Sequence, residues 1–156
     1  MTRAQPELDE LYQEIILDHY RRPRNKGQLS QASAEAEGVN PLCGDEIHLQ
    51  VVIEGNRITE IGFWGRGCSI SQASASLMTE AVRNQTTADA GRMKHEVEAM
   101  LVESAAPASE LGDIDALQGV AKFPVRVKCA LLAWKVLGEA LPRRDGVRAR
   151  TVTTKS

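Results

Sequence analysis

An α+β fold, a small antiparallel β-sheet packed against several α-helices, is what this sequence predicts. Three observations carry the prediction. Period-two apolar alternation is confined to residues 46–64. Apolar residues at helical spacing recur downstream, over 88–103 and beyond Pro124. The strands come in one run and the helices in another, which favours α+β over a strand–helix alternation.

The elements follow in order. Leu8, Leu11, Tyr12, Ile15, Ile16 and His19 fall at helical spacing and predict an amphipathic helix over 7–20, ended by Pro23. Arg21 to Gly27 is a basic turn, and 30–38 is small and polar, a loop or weak edge strand. Ile47, Leu49, Val51 and Ile53 alternate with Glu46, His48, Gln50 and Val52, a half-buried strand. Gly55-Asn56 turns the chain, and 57–64 returns as the second arm of an antiparallel hairpin. Two glycines, Gly65 and Gly67, lead to a strand-to-helix junction at Cys68. Met93, Val97, Met100 and Leu101 predict a helix over 88–103, followed by a linker at 104–112 and a short helical turn at 113–117. Pro124 suits the first turn of a last helix, whose stripe is Val127, Ala130, Leu131, Trp134, Leu137 and Leu141.

A length of 156 residues fits one domain with a real core, placed at 1–141, with 142–156 read as a disordered basic tail. Hydrophobic residues make up 42% and net charge is −2, so neither nucleic acid nor an anionic membrane is the expected partner. No apolar run approaches the ~20 residues of a membrane helix, and the N-terminus lacks a signal-peptide core. A cytoplasmic location is the default expectation, and there thiols stay reduced and serve as ligands or nucleophiles more often than as disulfides.

Chemistry concentrates on three cysteines. Cys43 and Asp45 put a thiol and a carboxylate two residues apart on a loop, with Gly44 between them. They suit a shared metal, or equally a turn-opening aspartate beside a small buried cysteine. Cys68 at a helix N-terminus gains thiolate character from the helix dipole, or merely packs where two glycines bring backbone close. Cys129 lies off the apolar stripe of the last helix and shares a face with Arg126; Lys128 adds a second cation. Together, Cys43, Asp45, Cys68 and Cys129 make three soft sulfur ligands and one oxygen, a donor set for tetrahedral zinc. Three thiolates, a carboxylate and Zn²⁺ leave excess negative charge that Arg126 could offset. The spacings match no general zinc pattern. Of the histidines, His19 is expected packed, His95 exposed, and His48 is the one substitute ligand to consider.

Leu11 to Tyr20 with Arg22-Pro23-Arg24-Asn25-Lys26-Gly27, the loop Asn40-Pro41-Leu42-Cys43-Gly44-Asp45, the stretch Gly65 to Ser76, and Leu117 to Val120 with Phe123 to Cys129 resemble, in combination, the U-type iron–sulfur cluster assembly family. The resemblance runs from about residue 8 to 138. Lys128 stands where the IscU scaffold branch has a histidine, and the stretch between the second and third cysteines is longer; both features resemble the SufU branch. The resemblance implies zinc at Cys43, Asp45, Cys68 and Cys129. It also implies sulfur transfer from a SufS-type, pyridoxal-phosphate-dependent cysteine desulfurase toward downstream iron–sulfur scaffold proteins. Cys43 would be the acceptor thiol and Arg126 a steering cation. The alternative is an IscU-like cluster scaffold on the same ligands.

Overall fold

The computed structural model describes residues 6–103, 109–142 and 151–153. Helix α1 spans Pro6–Arg21. Strands β1 (Ala34–Asn40), β2 (Asp45–Glu54) and β3 (Arg57–Arg66) form an antiparallel sheet in the order β3-β2-β1. Helices α2 (Ser69–Val82) and α3 (Thr87–Val102) follow, then a 3-10 run, Ser109–Lys122, and helix α4 (Pro124–Ala140). A short strand β4, Thr151–Thr153, pairs in parallel with the free edge of β1. The fold is α+β, as the segregated periodicities predict.

The β2–β3 hairpin turns at Gly55-Asn56, with Gly55 at φ +65°, a conformation that suits a residue without Cβ. Its inward side chains Ile47, Leu49, Val51, Ile58 and Phe63 are fully buried. Helix α4 packs across β1 and β2 and also touches α2 and α3. The Ser74 hydroxyl on α2 donates to the Ala130 carbonyl on α4 at 2.6 Å, clasping these two helices together. No described helix is long and apolar enough to cross a membrane.

The structure refines the expectations at four places. The segment read as a loop or weak edge strand is β1, paired with β2 from Ala34↔Val51 to Asn40↔Asp45. Its inward residues are Ala34, Ala36, Gly38 and Asn40, three of them small enough for α4 to lie close and the fourth polar, so it carries little of the apolar signal that marks a strand. The short turn read at 113–117 belongs to the longer run Ser109–Lys122, kinked at Gly112, which buries Ile114, Leu117 and Val120. Cys129, expected off the main apolar stripe of the last helix, is fully buried. Every residue from Cys129 to Trp134 is buried, because neighbours surround α4 and a single stripe does not describe it. Of the segment read as a disordered tail, Thr151–Thr153 form β4; 143–150 and 154–156 lie outside the described residues.

The end of α1 is latched to α2. His19 is 2% exposed and its Nδ1 lies 2.7 Å from the Ser76 hydroxyl. That hydroxyl also accepts the Arg24 N–H at 2.8 Å, and Arg24 pairs with Asp18 at 2.7 Å. Burial, reinforced by the Arg24 charge, holds the His19 imidazolium below the ordinary range against the opposing pull of Glu80, Asp18 and Asp113. The neutral ring is therefore the native form, while an unfolded histidine titrates near ~6.5. As pH falls below that value the unfolded chain takes the proton first, so stability present above it declines toward the lowered native value. Thermal melts should show this decline as pH falls below about 6.5, and His19→Gln should flatten it. An unchanged slope in the variant would remove His19 as its source.

Candidate metal centre

The centre lies at one end of the sheet, where β1 ends, β2 begins and β3 hands over to α2. Asn40 and Asp45 are the last register pair of β1 and β2, and 41–44 form the loop between them. The Asn40 carbonyl accepts the N–H groups of Cys43 at 3.2 Å and Gly44 at 2.9 Å. Gly44, at φ +70°, returns the chain into β2. This turn presents Cys43 half-buried at its tip and Asp45 1% exposed at its base.

Across from the turn, β3 runs out through Gly65 and Gly67, at φ +148° and +150°. A side chain at Gly67 would collide with Asp45 Oδ1 and come to 2.7 Å of the Ser71 hydroxyl. The missing Cβ is what lets the chain pass against the carboxylate. Cys68 then sits at the N-cap of α2, and its N–H donates to Asp45 Oδ1 at 2.8 Å. The acid thus occupies the positive end of a helix. From the other side α4 delivers Cys129 in its second turn, fully buried.

The Cys43 and Cys129 sulfurs are 3.1 Å apart. With a carboxylate oxygen of Asp45 they form a group whose atoms all lie within 4.8 Å of one another. Cys68 stands just outside that group and joins it through Asp45, its thiol 3.8 Å from Oδ2. Burial pushes the Cys129 thiol strongly up, and hydrogen bonds with Cys43 and Asp45 push it further. Without a cation, then, the buried sulfur stays a thiol. A divalent metal reverses that preference, because coordination deprotonates a thiol outright. A donor set of sulfurs and one oxygen, gathered around a carboxylate nearly sealed from water in a cradle that a Cβ at Gly67 would fill, fits such an ion.

A family model described as the NifU-like N terminal domain matches residues 11–130. The chain belongs to that family. Among curated members, the NifU-like chain is 44% identical over 140 residues to the zinc-dependent sulfurtransferase SufU of Bacillus subtilis (strain 168), covering 89% of this chain and 95% of that protein. It is 42% identical over 141 residues to the iron–sulfur cluster assembly scaffold protein IscU of Streptococcus pyogenes serotype M1, covering 90% and 88%. A crystal structure from Fervidobacterium islandicum AW-1, described as "Putative iron-sulfur cluster assembly scaffold protein for SUF system", superposes with a TM-score of 0.77 at 35% identity. That superposition covers 81% of this chain and 93% of the other.

Within this NifU-like domain the four expected ligand residues converge, three tightly and Cys68 beside them. Arg126 is exposed in the first turn of α4, and its guanidinium has no hydrogen bond or ion pair among the described residues. His48 does not approach the centre as a ligand. Its ring nitrogens lie 2.7 Å from Glu46 and 3.2 Å from Glu37, and its ring stacks on Trp64. His95 is exposed, as expected. Leu42, Phe123 and Val125 are exposed apolar residues close in sequence to Cys43 and Cys129. Asn40 and Ser71 were not singled out in the sequence. The signal for Asn40 was its place in Asn40-Pro41-Leu42-Cys43-Gly44-Asp45, where an asparagine before a turn favours local side-chain bonding.

Proposed function

We propose that this chain is a zinc-dependent sulfurtransferase that accepts persulfide sulfur from a SufS-type cysteine desulfurase for iron–sulfur cluster assembly. The observation that carries this reading is the asymmetry of the two touching thiols. Cys43 is half-buried on a turn, whereas Cys129, 3.1 Å away, is sealed in a helix. One sulfur can leave the centre and return, and the other is anchored. The similarity to a zinc-dependent sulfurtransferase over most of both chains supports the same reading.

Cys43, Asp45, Cys68 and Cys129 would hold the zinc. When bound, the ion keeps the thiols ionised at neutral pH. The Cys43 thiolate, swung out of the donor group, attacks the terminal sulfur of the persulfide on the desulfurase. A sulfur–sulfur bond forms on Cys43 and the one on the desulfurase breaks. The electron pair leaves on the desulfurase cysteine as its thiolate. Asp45 keeps the Cys68 N–H and stays in place, so the rest of the donor group persists while Cys43 is away. Arg126, exposed three residues before Cys129, would steer the anionic persulfide or acidic groups of the partner.

The test is the desulfurase's turnover of cysteine with and without this protein, after its zinc has been quantified. About one zinc per chain and strongly accelerated turnover are expected, with the acceleration lost after the metal is chelated away. Zinc without acceleration, together with transfer of a reconstituted cluster to an apo-protein, would replace this reading with the scaffold role carried by the Streptococcus relative's name.

A further inference from the structure

Asn40 has four polar contacts that converge on the centre. It is 1% exposed at the end of β1. Its side-chain Oδ1 accepts the Leu42 N–H at 3.2 Å. Its Nδ2 faces Cys129 Sγ at 3.9 Å. Its backbone carbonyl accepts the N–H groups of Cys43 and Gly44. The orientation of the carboxamide follows from its neighbours. The Leu42 N–H is a donor and needs the oxygen, which leaves the NH₂ group directed at the sulfur.

We propose that Asn40 is a positioning residue for the metal centre. One half of its amide holds the turn that carries Cys43, and the other half donates to the anchored Cys129 sulfur. The inference rests on the metal-binding reading above and extends it to a residue that touches no metal. A donor aimed at sulfur favours the ionised ligand over the neutral thiol, because hydrogen bonds to charged acceptors are the stronger ones. The same side chain couples the two thiols mechanically. The turn on which Cys43 moves is pinned to the residue that faces the sulfur it leaves behind. Cys43 can then swing out while its turn keeps the register needed to return.

Two substitutions separate these halves. Asn40→Ser keeps a short acceptor for the Leu42 N–H but loses the donor to sulfur. Asn40→Asp also keeps the acceptor and sets an oxygen acceptor against Cys129. Each variant is loaded with cobalt(II) as a spectroscopic probe, and its affinity is measured by chelator competition; circular dichroism of the metal-free chain reports folding. Both variants should bind cobalt about tenfold or more weakly than the wild type, with the larger loss in Asn40→Asp. Their sulfur-to-cobalt charge-transfer band should move to lower energy as the donor on the sulfur is lost. A residue that merely forms the turn would not move that band. Should Asn40→Ser unfold, Asn40→Asp carries the measurement. Wild-type affinity and an unmoved band in the folded variants would overturn the role of Asn40 and leave the metal centre standing. A wild-type chain that binds no cobalt, or a Cys129→Ala variant that binds it equally well, would overturn both readings.

Discussion

Replacing Cys43 by alanine is expected to return the desulfurase's cysteine turnover to its unassisted rate while leaving the fold intact. Cys43 sits at the tip of a four-residue loop, half-buried, and the bonds that shape this loop run through its backbone to the Asn40 carbonyl. An alanine keeps those bonds. The thermal stability of the metal-free chain should change by no more than about 0.5 kcal/mol, the range of surface substitutions. Sulfur acceptance has no such tolerance, because the attacking sulfur is gone and Cys129 is sealed from solvent. Cys129→Ala separates the two roles. It removes a fully buried side chain, so it should lower both metal affinity and stability, which Cys43→Ala does not do to the metal-free fold. Mass spectrometry after reaction with persulfidated desulfurase would show a 32 Da increment (approximately one sulfur) on the wild type alone. Full acceleration by Cys43→Ala would sink the acceptor role.

Gly67→Ala should damage the centre from outside the set of candidate ligand side chains. At φ +150° an alanine is strained, and its Cβ would collide with Asp45 Oδ1, lie 2.7 Å from the Ser71 hydroxyl and reach 3.0 Å from Asp45 Cα. Asp45 cannot yield easily, because it is buried and its Oδ1 holds the Cys68 N–H. Moving it breaks the link between the start of β2 and the N-terminus of α2. The metal-free chain should lose about 1–3 kcal/mol, the usual cost of overpacking. Metal affinity should fall by about tenfold or more, since the shift displaces Asp45 and Cys68 together. Gly55→Ala is the matched control. Gly55 also has positive φ, but nothing lies within 4 Å of its added Cβ. It should lower stability through backbone strain and leave metal affinity unchanged. Equal metal affinities in Gly67→Ala and the wild type would refute the close-approach role of Gly67.

Much of this was legible in the linear sequence. Alternation from Glu46 to Ile53, a glycine turn and a returning arm specify a hairpin through local chemistry alone. Asn40 to Asp45 and Gly65 to Cys68 read as chemically equipped turns for the same reason, since glycine marks where backbone must bend or approach closely. The helices over 88–103 and from Pro124 follow from spacing and a proline start. These features depend on residues near one another in the chain.

What the tertiary structure decided depends on residues far apart. β1 exists as a strand because β2 pairs with it and α4 covers its alanines; its own residues, too small to show an apolar pattern, could not declare it. Cys129 is a buried member of the centre because helices and sheet enclose α4 on several sides, which a single helical stripe cannot express. The contact of Cys43 with Cys129, 86 positions apart, and the reach of Asn40 to the same sulfur arise only when the first hairpin and the last helix meet. Sequence by itself determined which residues could serve as ligands and which turns could present them. Packing decided which thiol is sealed and which is half-exposed, because burial is a property of everything that surrounds an atom and not of its neighbours along the chain.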